Sequence, residues 1–186
     1  MFAYITGKIE EVEDNRVLIK NDFFGIEVLV VFVPKMHENI SLYLHSILSN
    51  EGIYMFYGFN TKKELKIFQE LIKIQGLGGR MAIKLLNNLG ISSIATAIYN
   101  KDNKTFENIS GIGKKLAMRI INDLQDKVID FMSTTSFHNE IINILISVGY
   151  KLKEIFSVIN HCDSNMSIEE NLKICMGKMR QNNDKK

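Results

Sequence analysis

Long apolar runs are missing from these 186 residues. No stretch approaches the ~18 apolar positions that would carry a helix across a bilayer, so no membrane span is expected. Cysteine is scarce. Cys162 and Cys175 are too few to form a disulfide framework, and a reducing cytoplasmic setting fits them. The segment HCDSNMSIEENLKIC brings His161, Cys162 and Cys175 near one another, but the paired spacing of real zinc ligands is absent, so no metal site is expected. The opening MFAYITGKIEEVEDN has no basic region, apolar stretch or small-residue cleavage site, and no secretory signal is expected there. A nucleotide phosphate loop is lacking too: Gly113-Lys114 is followed by Lys115 where Ser or Thr is needed, and Asn108 stands where its first glycine belongs. Nor is there a compact acidic cluster suited to two-metal hydrolysis. These absences argue against ATPase and metal-nuclease chemistry, and leave no expected catalytic residue, metal or cofactor.

What is present divides into three segments. The formal charge of +2 is uneven: residues 1–62 carry a net −3, residues 63–130 a net +4, and residues 131–186 a net +1. The basic surplus is in the middle, which is where a polyanion partner would be sought. Residues 1–62 read as strands. FAYITGKIEEV, RVLIK, FGIEVLVVFV, SLYLHSIL and IYMFYGF are short, rich in β-branched and aromatic residues, and parted by turn formers. Five strands in so short a segment suggest a closed barrel of the oligonucleotide-binding type, because closure removes exposed edges. The last strand is apolar on both faces, with Ile53, Met55, Tyr57 and Phe59 on one and Tyr54 and Phe56 on the other. One face would fill the barrel and the other pack against a neighbouring domain or subunit. Stacking on single-stranded bases is the alternative use of such aromatics, but no basic residue lies between Lys35 and Lys62.

From Thr61 the hydrophobic period changes from two to 3.6. Leu65, Phe68, Leu71 and Ile72 mark one helical face, Met81, Ala82, Leu85, Leu86 and Leu89 a second, and Ala117, Ile120, Ile121, Leu124 and Val128 another. The periodicity lapses around Ser133–Ser136, which reads as a linker over 131–137. Residues 138–186 then read as three short helices. Ile141, Ile142, Leu145 and Ile146 form the first face, ended by Gly149 as a left-handed cap. Leu152, Ile155, Phe156 and Ile159 form the second, and Ser167-Ile168-Glu169-Glu170 is a capping box opening the third. A docking module suits this last segment, and a structural extension of the core is the alternative.

The middle segment writes one phrase twice. IQGLGGRMAIKLL and ISGIGKKLAMRII align with an offset of 35, pairing Ile74 with Ile109, Gly76 with Gly111, Gly78 with Gly113, Arg80 with Lys115, Ala82 with Ala117 and Lys84 with Arg119. The basic positions repeat along with the glycines. On a helix Lys115 and Arg119 lie about 40° apart, while Ala117, Ile120 and Leu124 cluster opposite. Glycine lets such a turn reach positive φ and bring backbone close to a ligand. The free N–H groups of the helix start then face outward at the positive end of its dipole, an arrangement that binds a phosphate. Gly76, Gly78, Gly79, Gly111 and Gly113 are therefore the expected main-chain contacts, and Arg80, Lys84, Lys114, Lys115 and Arg119 the added charge, holding backbone without reading bases. Two grips suit the two strands of a duplex. A single Gly-x-Gly turn also ends ordinary helices, but two in register with matching cations resemble the helix-hairpin-helix motif.

Together with its flanks, the chain resembles the RuvA family of bacterial Holliday-junction-binding proteins. The resemblance is carried in order by FGIEV, YGFNTKKEL, GLGGRMA, GIGKKLA and, at Val148–Tyr150, VGY. It implies an α+β multidomain fold: an N-terminal five-stranded barrel over 1–62, a tandem helix-hairpin-helix domain over 63–130, and a C-terminal three-helix UBA-like module over 138–186. It also implies a homotetramer, singly or as two face to face, on an open four-way DNA junction. The implied partner is the hexameric ATPase RuvB, which pumps DNA arms and contacts residues 138–186, and the resolving nuclease RuvC is a further candidate. In the family the turn between the last two barrel strands carries two adjacent acids, a pin near the junction centre. Here that turn reads Asn50-Glu51-Gly52, leaving Glu51 as the single pin acid, with weaker control of strand separation expected. Gly79 replaces a common proline, which would loosen the first turn, and the linker is short for the family.

Two other classes compete. A helix-hairpin-helix repair enzyme of glycosylase or nuclease type would use a downstream carboxylate such as Asp130, but VIDFM has no glycine-rich loop before it and no phased lysine nucleophile. A protein-only adaptor would require the basic stripes to be solvated faces.

Overall fold

The structure is a computed structural model, and it describes residues 2–49, 51–128, 131, 136–163 and 165–183. Strands β1 (Tyr4–Glu13), β2 (Arg16–Lys20), β3 (Gly25–Val30), β4 (Asn39–Leu48) and β5 (Tyr54–Phe59) close a barrel in the order β1-β2-β3-β5-β4. All neighbours are antiparallel except β3 and β5, which run parallel through Val28–Phe56, Leu29–Tyr57 and Val30–Gly58 and shut the sheet on itself. A bulge in β1 between Ile9 and Glu11 increases the local twist. Ile5, Ile9, Val17, Ile19, Val28, Val30, Leu42 and Leu44 fill the interior.

The two apolar faces of β5 divide as the alternation demands. Phe56 packs on the barrel interior, while Tyr57 and Phe59 belong to the core of the helical domain. Both rings lie against Phe68 at centroid separations of 4.9 Å, and His45 approaches the same ring at 5.6 Å. Phe68 sits on helix α1 (Lys62–Leu71), opened by a reciprocal capping box in which Glu64 N–H donates to Thr61 Oγ1 and Thr61 N–H to Glu64 Oε2. Packing against another domain is thus how this aromatic strand is used.

Helix α2 (Gly79–Tyr99) is broken at Gly90, whose φ of 68° is not helical. By length and composition alone α2 could cross a membrane, because residues 85–100 carry no charged side chain. Its Ala82, Ile83, Leu85, Leu86, Ile94, Ala95, Ala97 and Ile98 are instead buried in the helical core. Helices α3 (Asn103–Glu107) and α4 (Lys114–Leu124) follow, with a 3-10 turn at Gln125–Lys127.

The last segment forms helices α5 (Ser136–Ser147), α6 (Leu152–Val158) and α7 (Ile168–Asn183) around a core of Ile141, Ile142, Leu145, Leu152, Ile155, Val158, Ile159, Cys175 and Met179. Gly149 takes φ 97° at the end of α5, and the Ser167–Glu170 capping box forms. Asn171 is the buried polar residue here. Its amide donates to the carbonyls of Asp163, Met166 and Ser167 and its oxygen accepts from Asp163 N–H, so both the donor and the acceptor end are satisfied. The linker expected over 131–137 is narrower at both ends: Phe131 is buried in the helical core, and α5 begins at Ser136. Residues 132–135 lie outside the described residues, as does Asp130.

Candidate nucleic-acid interface

The two repeated phrases become two superimposable turns. After α1, Ile74 is buried, Gln75 and Gly76 are exposed, Leu77 is buried and Gly78 is exposed; after α3, Ile109, Ser110, Gly111, Ile112 and Gly113 follow the same order. Hydrogen bonds repeat at the same offset. Leu77 N–H donates to Ile74 O at 3.0 Å and Ile112 N–H to Ile109 O at 2.9 Å, while Ala82 and Ala117 close the first helical turns onto Gly78 and Gly113 at 2.9 and 3.0 Å. Gly76 and Gly111 adopt φ of 93° and 99°, a region that excludes most side chains.

Gly78 and Gly113 are N-caps with extended backbone and no side-chain cap bond. The amides ahead of Ala82 and Ala117 therefore have no acceptor within their helices. Arg80, Lys114 and Lys115 are exposed beside them, and neither first turn holds an acidic residue. Two helix N-termini, each bare of a side-chain acceptor and flanked by cations, are suited to oxyanions such as backbone phosphates.

Three expected contacts have other neighbours. Gly79 is buried, and a Cβ placed on it would lie 2.4 Å from the Tyr57 ring and hydroxyl. Its smallness lets α2 dock on the barrel, so Gly79 belongs to the domain contact and not to the exposed set. Proline at this position would meet the same ring, so glycine suits the close approach of α2 to Tyr57. Lys84 and Arg119 reach across the motif instead of outward only: Lys84 Nζ donates to Ser110 O at 2.8 Å, and Arg119 Nη1 to Gln75 O at 2.5 Å. Gln75 and Ser110 were missed as acceptors because no side-chain pattern marks a carbonyl.

The barrel adds a cation. Arg16, 3.8 Å from Glu27, faces Arg80 and Lys84 across an open polar cleft that also holds Glu13, Asp14 and Asn15. Burial pushes the Tyr57 hydroxyl above its ordinary pKa, and the Arg80 charge acts in the opposite sense. Glu51 is exposed at the tip of the β4–β5 turn, closed by Gly52 N–H to Ser49 O and Ile53 N–H to Ser49 Oγ. In the C-terminal module Cys162 and Cys175 face each other at 3.1 Å, and His161 Nδ1 is 3.1 Å from Val158 O. Among the described residues no three His, Cys, Asp or Glu side chains group as metal ligands.

A closed five-stranded barrel joined to paired hairpins whose bare helix starts sit beside cations defines a class: a tandem helix-hairpin-helix protein with an oligonucleotide-binding-type barrel. Comparisons with known proteins agree. Residues 68–126 match the family described as SAM-like helix-hairpin-helix tandem, and residues 1–58 match the RuvA N terminal domain. The Holliday junction branch migration complex subunit RuvA of Clostridium botulinum (strain 657 / Type Ba4) is 35% identical over 190 residues, covering 93% of this chain and 96% of that protein. Its counterpart in Clostridium acetobutylicum is 30% identical over 197 residues, covering 95% of this chain and 98% of that protein. The chain belongs to the RuvA family.

Proposed function

We propose that this chain is the junction-binding, non-catalytic subunit of a Holliday junction branch migration complex. The repeated hairpin is the observation that carries the reading. Each copy turns a helix N-terminus and its cations outward, so a pair can hold two phosphate backbones without regard to sequence. The exposed amides of Gly78, Gly111 and Gly113 and their neighbours take the phosphates; Arg80, Lys114 and Lys115 add charge. A homotetramer, alone or as two facing copies, arranges these grips around a four-way junction, with Glu51 at the strand crossover. Lacking a phosphate loop, the chain leaves ATP hydrolysis to a RuvB-type motor docked on residues 138–186, and the junction remains open to a RuvC-type nuclease. The domain division is 1–62, 63–131 and 136–186, and the complex works in the cytoplasm.

The test is titration of a labelled four-way junction and of a linear duplex of equal length at several salt concentrations. Junction binding should be much the tighter and should weaken steeply with salt through counterion release. Arg80→Ala and Lys115→Ala should each weaken binding by roughly 1–3 kcal/mol and lower the salt slope by about one. Equal affinity for duplex and junction would refute the reading.

A further inference from the structure

The two hairpins offer two grips, one for each backbone. Their contacts are reciprocal. Lys84, on the helix that follows the first turn, donates to the carbonyl of Ser110 in the second turn. Arg119, on the helix that follows the second turn, donates to the carbonyl of Gln75 in the first. Donors and acceptors are both related by the offset of 35, so one bond is the image of the other.

Packing repeats the exchange. A Cβ built on Gly76 would meet Arg119 Nη1 and Leu116 Cδ1, each at 3.8 Å, and a Cβ built on Gly111 would meet Met81 Cε at 2.5 Å. Met81 and Leu116 are again offset equivalents, both partly buried against the shared core. Each turn glycine is therefore flanked on its Cβ side by the other hairpin's helix and exposed on the other.

We infer that Lys84 and Arg119 are positioning residues, cross-braces that fix the spacing and aim of the two phosphate grips. The inference rests on the proposed junction-binding role, and it changes what Lys84 does there. The Gln75 and Ser110 carbonyls precede Gly76 and Gly111 on exposed turns, where an uncovered negative dipole end would oppose a phosphate. A cation bonded to each carbonyl removes that repulsion and ties the turn to its twin. Lys84 acts on DNA through the Ser110 turn. Arg119 commits Nη1 to Gln75 and keeps the rest of its fork available. Rigid spacing matters because one ligand must meet both grips at once, and ordering them beforehand lowers the cost of binding.

The signature is crossed. In the free protein, Lys84→Met should speed amide exchange at Ile112, bonded to Ile109 O, by at least about threefold and leave Leu77, bonded to Ile74 O, unchanged. Arg119→Met should do the reverse, and Lys84→Arg, which keeps a donor, should preserve protection. On junction DNA, Lys84→Met should weaken binding without changing the salt slope, whereas Lys115→Ala lowers that slope by about one. The inference is overturned if exchange rises in the hairpin carrying the substitution or in neither, if Lys84→Arg behaves as Lys84→Met, or if Lys84→Met lowers the slope as Lys115→Ala does. Exchange in the free protein is read without DNA, so its outcome is independent of whether the junction is the ligand.

Discussion

Tyr57, at 4% exposure, fixes what residue 79 can be. A methyl group at Gly79 would enter the space of a ring that lies against Phe68, and the ring would have to shift. Gly79→Ala should cost about 1–3 kcal/mol by denaturant unfolding, in the range for overpacked cores. Gly52 is the opposite case: its φ is +79°, but a Cβ there meets nothing within 4 Å. Aspartate tolerates that backbone better than most residues, so Gly52→Asp should fold and restore a second acid beside Glu51. Its effect belongs in a branch-migration assay with the RuvB-type motor, with Gly52→Asn as the uncharged control for backbone strain. A changed rate for Asp relative to Asn would assign the pin, and identical rates would remove Glu51 from that role. The glycines of the two turns were readable because their offset repeats in the sequence. The packing demand on Gly79 was not readable, because its cause is a ring distant in the chain.

Elements are joined by fewer polar ties than apolar ones, and Glu70 makes the clearest of these. From α1 it accepts from Lys127, in the turn after α4, and from Lys73 at 2.6 Å. Bonds from Lys127 first, and then from Lys73, hold its carboxyl below the ordinary value near 4.5, although burial pushes the other way. A carboxylate with a depressed folded-state pKa stabilises the fold above its unfolded value, and that contribution is lost as pH falls through the folded one. Glu70→Gln should therefore lower stability by about 1–2 kcal/mol at neutral pH, a charge-assisted bond discounted because both lysines are half exposed. Wild type and variant should converge in urea unfolding as pH falls through the folded-state value, where both side chains are uncharged. Element types were legible from periodicity and caps: the change of period at Thr61, the alternation in β5, the Ser167 box. The parallel closure of β3 on β5 and the break at Gly90 were not. Alternation states which faces are apolar but not which strands meet, and a single glycine within a helical pattern does not announce a break.

At the scale of the whole molecule, one side chain ties the C-terminal module to the DNA-binding domain. Phe156 of α6 packs against both the helical core and the module's own core. The contact borders a cavity of about 430 Å³ lined by Ser92, Ser93, Thr96 and Ala97 of α2 together with Phe156 and Ser157. The sequence placed Phe156 on an apolar helical face, which suffices for a helix but cannot distinguish a residue serving one core from a residue shared by two. Covalent reach reinforces the contact: Phe131 is buried in one domain and α5 of the next begins at Ser136, so the connection spans at most about 17 Å even when extended. A module so placed cannot travel far from α2, so under the proposed division of labour a motor docked on it would stay near the hairpins. Phe156→Ser should loosen this arrangement while Ile155, Leu152 and Ile159 keep the module folded. Amide exchange along Ser92–Tyr99 should rise, and proteolysis between 131 and 136 should quicken as the two cores separate. Junction affinity should stay within about twofold, because the hairpins keep their own core. Unchanged exchange on α2 would mean that Phe156 serves its own module alone, and a collapse of junction binding would mean that the module helps to shape the DNA-binding domain.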